Sequence, residues 1–155
     1  MTDRRRPWLD EETAWSRVAA SHTCVLTTLR RDGRPVSLPL WFVVIDRRVY
    51  FRSLATGKKV ARIRNDPRAS VLIESGQRWR ELVAVHLSGS ARIVDESDPI
   101  IPEIQQAIDI KYDAFRSSDT NMPETTKAHY AQPYAFICFE PDDKIVSWDN
   151  SRLFD

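Results

Sequence analysis

Trp15, Val18 and Ala19 recur at i, i+3 and i+4 behind the acidic trio Asp10, Glu11 and Glu12. That spacing, with an acidic cap ahead of it, predicts a first helix ending near Ser21. The pattern then changes to short apolar runs at 23–29 (TCVLTTL), 35–45 (PVSLPLWFVVI) and 49–53 (VYFRS), each read as a strand. An Asp-Gly pair inside 30–34 favours a tight hairpin between the first two, and 46–48 (DRR) turns the chain again. Pro39 has no N–H to give to a ladder, so it predicts an edge or a bulge within the second run.

Val60 and Ile63 mark a short helix from Thr56 to Asn65, stopped by Asp66-Pro67 because proline disfavours helical geometry in its predecessor. Strands are expected at 69–74 and 81–94, the second bent near Gly89. Ile101, Ile104 and Ile108 give a helix over 98–112, entered through prolines. The polar stretch 113–132 reads as a long loop, and 134–141 with 144–148 as a closing hairpin. Strands dominate and most connections are short. The expected fold is therefore mainly β, a closed or partly closed antiparallel barrel formed by a single domain over residues 1–155. Long helices do not alternate with the strands, which argues against a doubly wound parallel sheet.

Composition narrows the function classes. Of 155 residues, 42% are hydrophobic and 29% charged, a globular balance, and the net charge of +1 gives no overall basic character for nucleic acid. No apolar run approaches the roughly 20 residues of a membrane helix. The opening MTDRRRPWLD lacks the apolar segment of a signal peptide, and its three arginines read as a frayed end. Cys24 and Cys138 each sit in an apolar run, as buried thiols in a reducing cytoplasm would. The four glycines have neither dinucleotide-fingerprint nor P-loop spacing. His22, His86 and His129 are scattered singly, so no metal is expected.

The basic segment 51–68 (FRSLATGKKVARIRNDPR) carries more. Across 52–68 there are six Lys/Arg residues against one Asp. Lys58 and Lys59 fall where a helix begins, although a helix N-terminus already bears partial positive charge. Either this is a solvated face, or an anion belongs there. A strand ending in Arg52 and Ser53, a loop with Thr56 and Gly57, free helix N–H groups and two lysines can converge on one point, as a phosphate requires.

In this segment the sequence resembles the pyridoxamine 5'-phosphate oxidase-like split barrels: a strand ending in a hydroxyl residue, a short loop, Lys-Lys, a short helix, then Asn-Asp-Pro-Arg and a strand. Residues 26–44 are similar to the preceding strands of the flavin and deazaflavin oxidoreductases of that superfamily, and VSWDNSRLF (146–154) to the Trp…Arg-Leu ending of its members. The resemblance implies a homodimeric split antiparallel β-barrel with two cofactor sites at the subunit interface. It implies that Arg52, Ser53, Lys58 and Lys59 hold the cofactor phosphate. Ser37, Leu38, Pro39, Leu40 and Trp41 would lie along the ring system, and Trp148 and Arg152 would complete the site from the partner subunit. The cofactor the resemblance implies is FMN or the deazaflavin F-420; the latter would also need a basic groove for its anionic tail, with Arg62, Arg64 or the Arg78/Arg80 pair as candidates. The implied activity is hydride transfer to or from a small conjugated substrate. No catalytic residue is evident, and Tyr112, His86 and His129 are candidate proton donors. The alternative is a flavin- or ligand-binding barrel without turnover, a carrier or sensor. The ending RLF departs from the basic, His-containing ending of the oxidase, which argues against pyridoxamine phosphate as substrate.

Overall fold

The computed structural model describes residues 6–118 and 121–154. Apart from Arg6, the N-terminal arginine run lies outside the described residues. In chain order the elements are α1 (Glu11–Ala20), β1 (Cys24–Leu29), β2 (Pro35–Leu40), β3 (Val43–Ile45), β4 (Arg48–Leu54), α2 (Lys58–Asn65), β5 (Arg68–Ser75), β6 (Val83–Ile93), α3 (Ile100–Tyr112), α4 (Glu124–Tyr130) and β7 (Tyr134–Asp149). Short 3-10 turns follow β5, α3 and β7.

All seven strands pair antiparallel in one sheet, in the order β2-β1-β5-β6-β7-β4-β3. The two edge strands are consecutive in sequence and only Trp41 and Phe42 separate them. Three Cα steps span at most about 11 Å. The sheet must therefore curl until its edges face one another, giving a barrel with a slit that these two residues cross. This corrects the reading of 35–45 as one strand: the run is uniformly apolar, but it leaves one edge of the sheet and joins the other.

The tight turn between β3 and β4 has Asp46 and Arg47 both at positive φ (50° and 55°), the backbone of a two-residue hairpin turn whose twist suits the flanking strands. The expected closing hairpin is a second correction. Residues 134–149 form one continuous strand, paired with β6 from Ile137 to Pro141 and again from Ile145 to Asp149. Pro141, Asp142 and Asp143 look like turn residues in sequence, yet they form an irregularity where the register against Leu87 and Gly89 shifts. Gly89 permits it, since a Cβ there would sit 2.1 Å from the Glu140 carbonyl oxygen.

β4 explains how the fold builds two cores. Its alternation sends Val49 and Phe51 into the barrel with Phe42, Val60, Ile63 and Phe139. Tyr50 faces the other way, against Ile104, Ile108 and Tyr112 of α3. Asp10 caps α1 by accepting from the Thr13 N–H at 2.9 Å. Cys24 and Cys138 are buried, unpaired thiols, one in each core. Among the described residues, no helix is long and apolar enough to cross a membrane.

Candidate anion cleft and its aromatic neighbour

The end of β4 sets the first side chains of the site. Ser53 continues the inward row of Val49 and Phe51 and is buried at 6% exposure, while Arg52 falls on the α3 side. Arg52 Nη1 donates to Gln105 Oε1 at 3.2 Å, and its guanidinium lies 4.6 Å from the centre of the Tyr134 ring. The loop that follows is fastened to the segment before β7, through Ala55 N–H to the Pro133 carbonyl at 2.9 Å and Thr56 Oγ1 to Gln132 Oε1 at 3.0 Å.

Gly57 then starts α2 with extended backbone, and no side chain caps the helix. The amides of its first turn therefore lack a side-chain partner at the point where Lys59 turns back to the strand. The Lys59 ammonium donates to Ser53 Oγ at 3.4 Å. Burial, and secondarily the nearby Arg62, lowers the Lys59 pKa from its ordinary value. Among the described residues, Arg52, Lys58 and Lys59 form no ion pair.

Arg52, Ser53, Gly57 and Lys59 thus share one cleft of about 410 Å³ with His129, Tyr130 and Tyr134. Lys58 is exposed and does not line it. The aromatic wall was not legible in sequence. Tyr130 and His129 belong to α4, a two-turn helix inside the polar stretch read as a loop, and Tyr134 opens β7.

A second pocket of about 790 Å³ adjoins the cleft and shares Tyr130 and Tyr134 with it. Trp41 lines this pocket. Its indole is stacked on Tyr112, with centroids 4.5 Å apart and planes within 8°. The Tyr112 hydroxyl is itself fixed, accepting from Phe42 N–H at 2.9 Å and lying 2.7 Å from the Phe42 and 2.8 Å from the His22 carbonyl oxygens. The residue is fully buried with its hydroxyl engaged on these backbone groups, so Tyr112 is a structural anchor; burial also pushes the phenol up to about 12. Of the three candidate donors, His129 is the one on the cleft; His86 lies in the middle of β6, paired with Leu72 and Val146.

Ser37, Leu38, Pro39 and Leu40 occupy the β2 edge, with Ser37, Leu38 and Pro39 exposed. Pro39 sits where its missing N–H costs no ladder bond beyond the β1 pairing. Ser37 Oγ shares a 2.7 Å hydrogen bond with Thr27 Oγ1. Within one chain, Trp148 and Arg152 do not join this group. Trp148 stands near the far end of β7, 40% exposed, and Arg152 donates to the Trp8 carbonyl at 2.7 Å. The Arg78/Arg80 pair lies at that same remote end, where Arg80 stacks on Phe154 at 4.6 Å. Arg62 is held by Thr28 Oγ1 at 2.8 Å, and Arg64 lines a separate pocket beside Asp95 and Glu96.

The sequence matches the family model described as pyridoxamine 5'-phosphate oxidase over residues 11–143. No curated protein matches it. Among solved structures, the conserved hypothetical protein Rv2991 from Mycobacterium tuberculosis superposes with a TM-score of 0.80 at 23% identity, covering 100% of this chain and 94% of that one. An FAD-binding protein from Mesorhizobium loti gives 0.69 at 20% identity, over 90% and 94% of the two chains. The heme storage protein HutZ from Vibrio cholerae gives 0.63 at 11% identity, over 89% and 94%. At these identities the likeness is one of fold.

Proposed function

The chain belongs to the pyridoxamine 5'-phosphate oxidase family, and from that premise we propose that it is an oxidoreductase binding a flavin-type cofactor, FMN or F-420. The cofactor phosphate would be held by Arg52, Ser53 and Lys59. One observation carries the reading: a half-buried lysine meets a buried hydroxyl and an arginine at an uncapped helix start, and among the described residues neither cation has a carboxylate partner. Burying such an ammonium is costly unless a counter-charge completes it. Two cations, a hydroxyl and first-turn amides fit a phosphate dianion in charge and in hydrogen-bond donors.

When bound, the cofactor supplies hydride transfer. The chain's own residues bind, orient and shield. Arg52 and Lys59 neutralise the phosphate, Ser53 donates to it, and Tyr130 and Tyr134 exclude water from the cleft. Trp41, braced by Tyr112, forms a flat wall on the substrate side. The exposed β2 edge, Trp148 and Arg152 are assigned to a homodimer interface, where the partner's copies would complete each site. The test is titration with FMN and with F-420, followed by reduction and reoxidation with a panel of enones and quinones. A tight complex that turns over supports the reading; failure of both cofactors to bind ends it.

A second reading, a binder without turnover, is favoured by His129. Its imidazole lines the same cleft and could ligate the iron of a heme whose propionates met Arg52 and Lys59. A Soret shift on adding hemin, lost in His129→Ala, would select it.

A further inference from the structure

Resting on that reading, we infer that the second pocket takes a flat, conjugated carboxylate, recognised by Arg116 and Lys127. Trp41, Tyr130 and Tyr134 give this pocket aromatic walls, and Met122 adds an adaptable apolar surface. Trp41 is covered on one face by Tyr112 and is thereby held as a rigid plate. A planar conjugated ligand matches such walls, and the pocket's volume lies in the range of small-molecule sites, about 300–1,000 Å³.

Among the described residues, the charged ones on its lining are Arg116 and Lys127, with no carboxylate beside them there. Both cations are held from outside that lining. Arg116 Nη2 pairs with Asp109 Oδ1, and Lys127 Nζ with Glu124 Oε1 at 3.0 Å. Asp109 is itself gripped by the Gln105 side-chain amide, at 3.0 Å to each oxygen. Hydrogen bonds from Gln105, and then from Arg116, hold Asp109 below the usual carboxylate range, so it stays ionised beside Arg116. Among the described residues, these pairs fix the two side chains without using up their donors. A guanidinium has five N–H groups and an ammonium three, and each side chain remains 37% exposed. The planar arginine fork suits a carboxylate.

The same Gln105 accepts from Arg52, so one short network, Arg52–Gln105–Asp109–Arg116, fixes a cation on each of the two adjoining cavities. A ligand in the second pocket lies across Tyr130 and Tyr134 from whatever the first cleft holds.

Calorimetric titration of the full-length protein with cinnamate and with cinnamamide tests this. The acid should bind about ten-fold more tightly than the amide, the effect of one charge-assisted hydrogen bond. Arg116→Gln should bring the two within about two-fold of each other; should that variant unfold, Lys127→Gln should reduce the preference instead. Equal binding of acid and amide by the wild type, binding of neither, or an undiminished preference in the variant overturns the inference. The preference is read with and without saturating FMN. Failure of both FMN and F-420 to bind would sink the reading of the first cleft and still leave this ratio measurable.

Discussion

The Lys59 ammonium lies 3.4 Å from the Ser53 hydroxyl, across the loop that joins the end of β4 to the start of α2. The distance is long for a hydrogen bond, and among the described residues neither group has an anionic partner. A phosphate between them would give both a stronger one. Lys59→Ala should therefore weaken flavin binding by about 1.5–3 kcal/mol, roughly 10- to 150-fold, with little loss of fold stability. Fluorescence titration measures the affinity and thermal unfolding the fold. Unchanged affinity in a folded variant would remove the phosphate from this cleft. Lys58→Ala, on the exposed side of the same turn, should have the smaller effect.

Gly57 ties the same loop to the site by its lack of a side chain. Its φ of −66° is open to any residue, so its freedom is not the reason for it. A Cβ there would sit 3.0 Å from the Leu54 carbonyl oxygen and 3.3 Å from Ser53 Oγ. Gly57→Ala should push the Ser53 hydroxyl aside and cost flavin affinity several-fold. Fold stability should fall by about 1 kcal/mol, since alanine is also the poorer N-cap. A chemical denaturation curve set beside the flavin titration separates the two effects. Loss of stability without loss of affinity would remove Ser53 from the phosphate contacts.

What sequence could reveal follows from how local each feature is. The strand–loop–helix around Arg52, Ser53 and Lys59 is contiguous, so hydroxyl, glycine and lysine spacing announced it. The slit crossed by Trp41 and Phe42 was hidden, because an apolar run looks the same whether it continues one strand or passes between two edges. Pro141-Asp142-Asp143 mimicked a turn because bulge and turn residues share their chemistry, and only pairing with Gly89 on β6 distinguishes them. Tyr130 and Arg116 were missed for another reason, and His129 was named only as one of three candidate donors without a place. They come from a polar stretch with weak periodicity, and their role arises from long-range contact with β4 and α3.

Tyr112 is the hinge between fold and site. Its hydroxyl satisfies the buried Phe42 N–H at 2.9 Å, and its ring carries Trp41. Tyr112→Phe leaves that N–H without its partner and should destabilise the protein by about 1–3 kcal/mol. The emission of Trp41 should change as its support loosens, a shift that Trp41→Phe would abolish. A variant with wild-type stability would show that Phe42 N–H finds another acceptor.

Lys111 predicts a dependence of stability on pH. Its ammonium donates to the Phe42 carbonyl at 3.1 Å and lies 3.9 Å over the Phe42 ring; burial lowers its pKa from 10.5 to about 8. Below about 8 both folded and unfolded chains carry the proton, and the cost of burying the charge is constant. Between about 8 and 10.5 the folded chain has lost the proton while the unfolded chain keeps it, so stability rises with pH. The slope can reach no more than about 1.4 kcal/mol per pH unit. Cys24, which burial pushes from 9.0 up to about 12, acts in the opposite sense. Above about 9 its unfolded form loses a proton that the folded form keeps, and stability falls. Lys111→Met keeps the thiol and removes the amine. Urea midpoints between about pH 8 and pH 9 should rise in the wild type relative to this variant, and parallel profiles would show that Lys111 titrates normally in the folded chain.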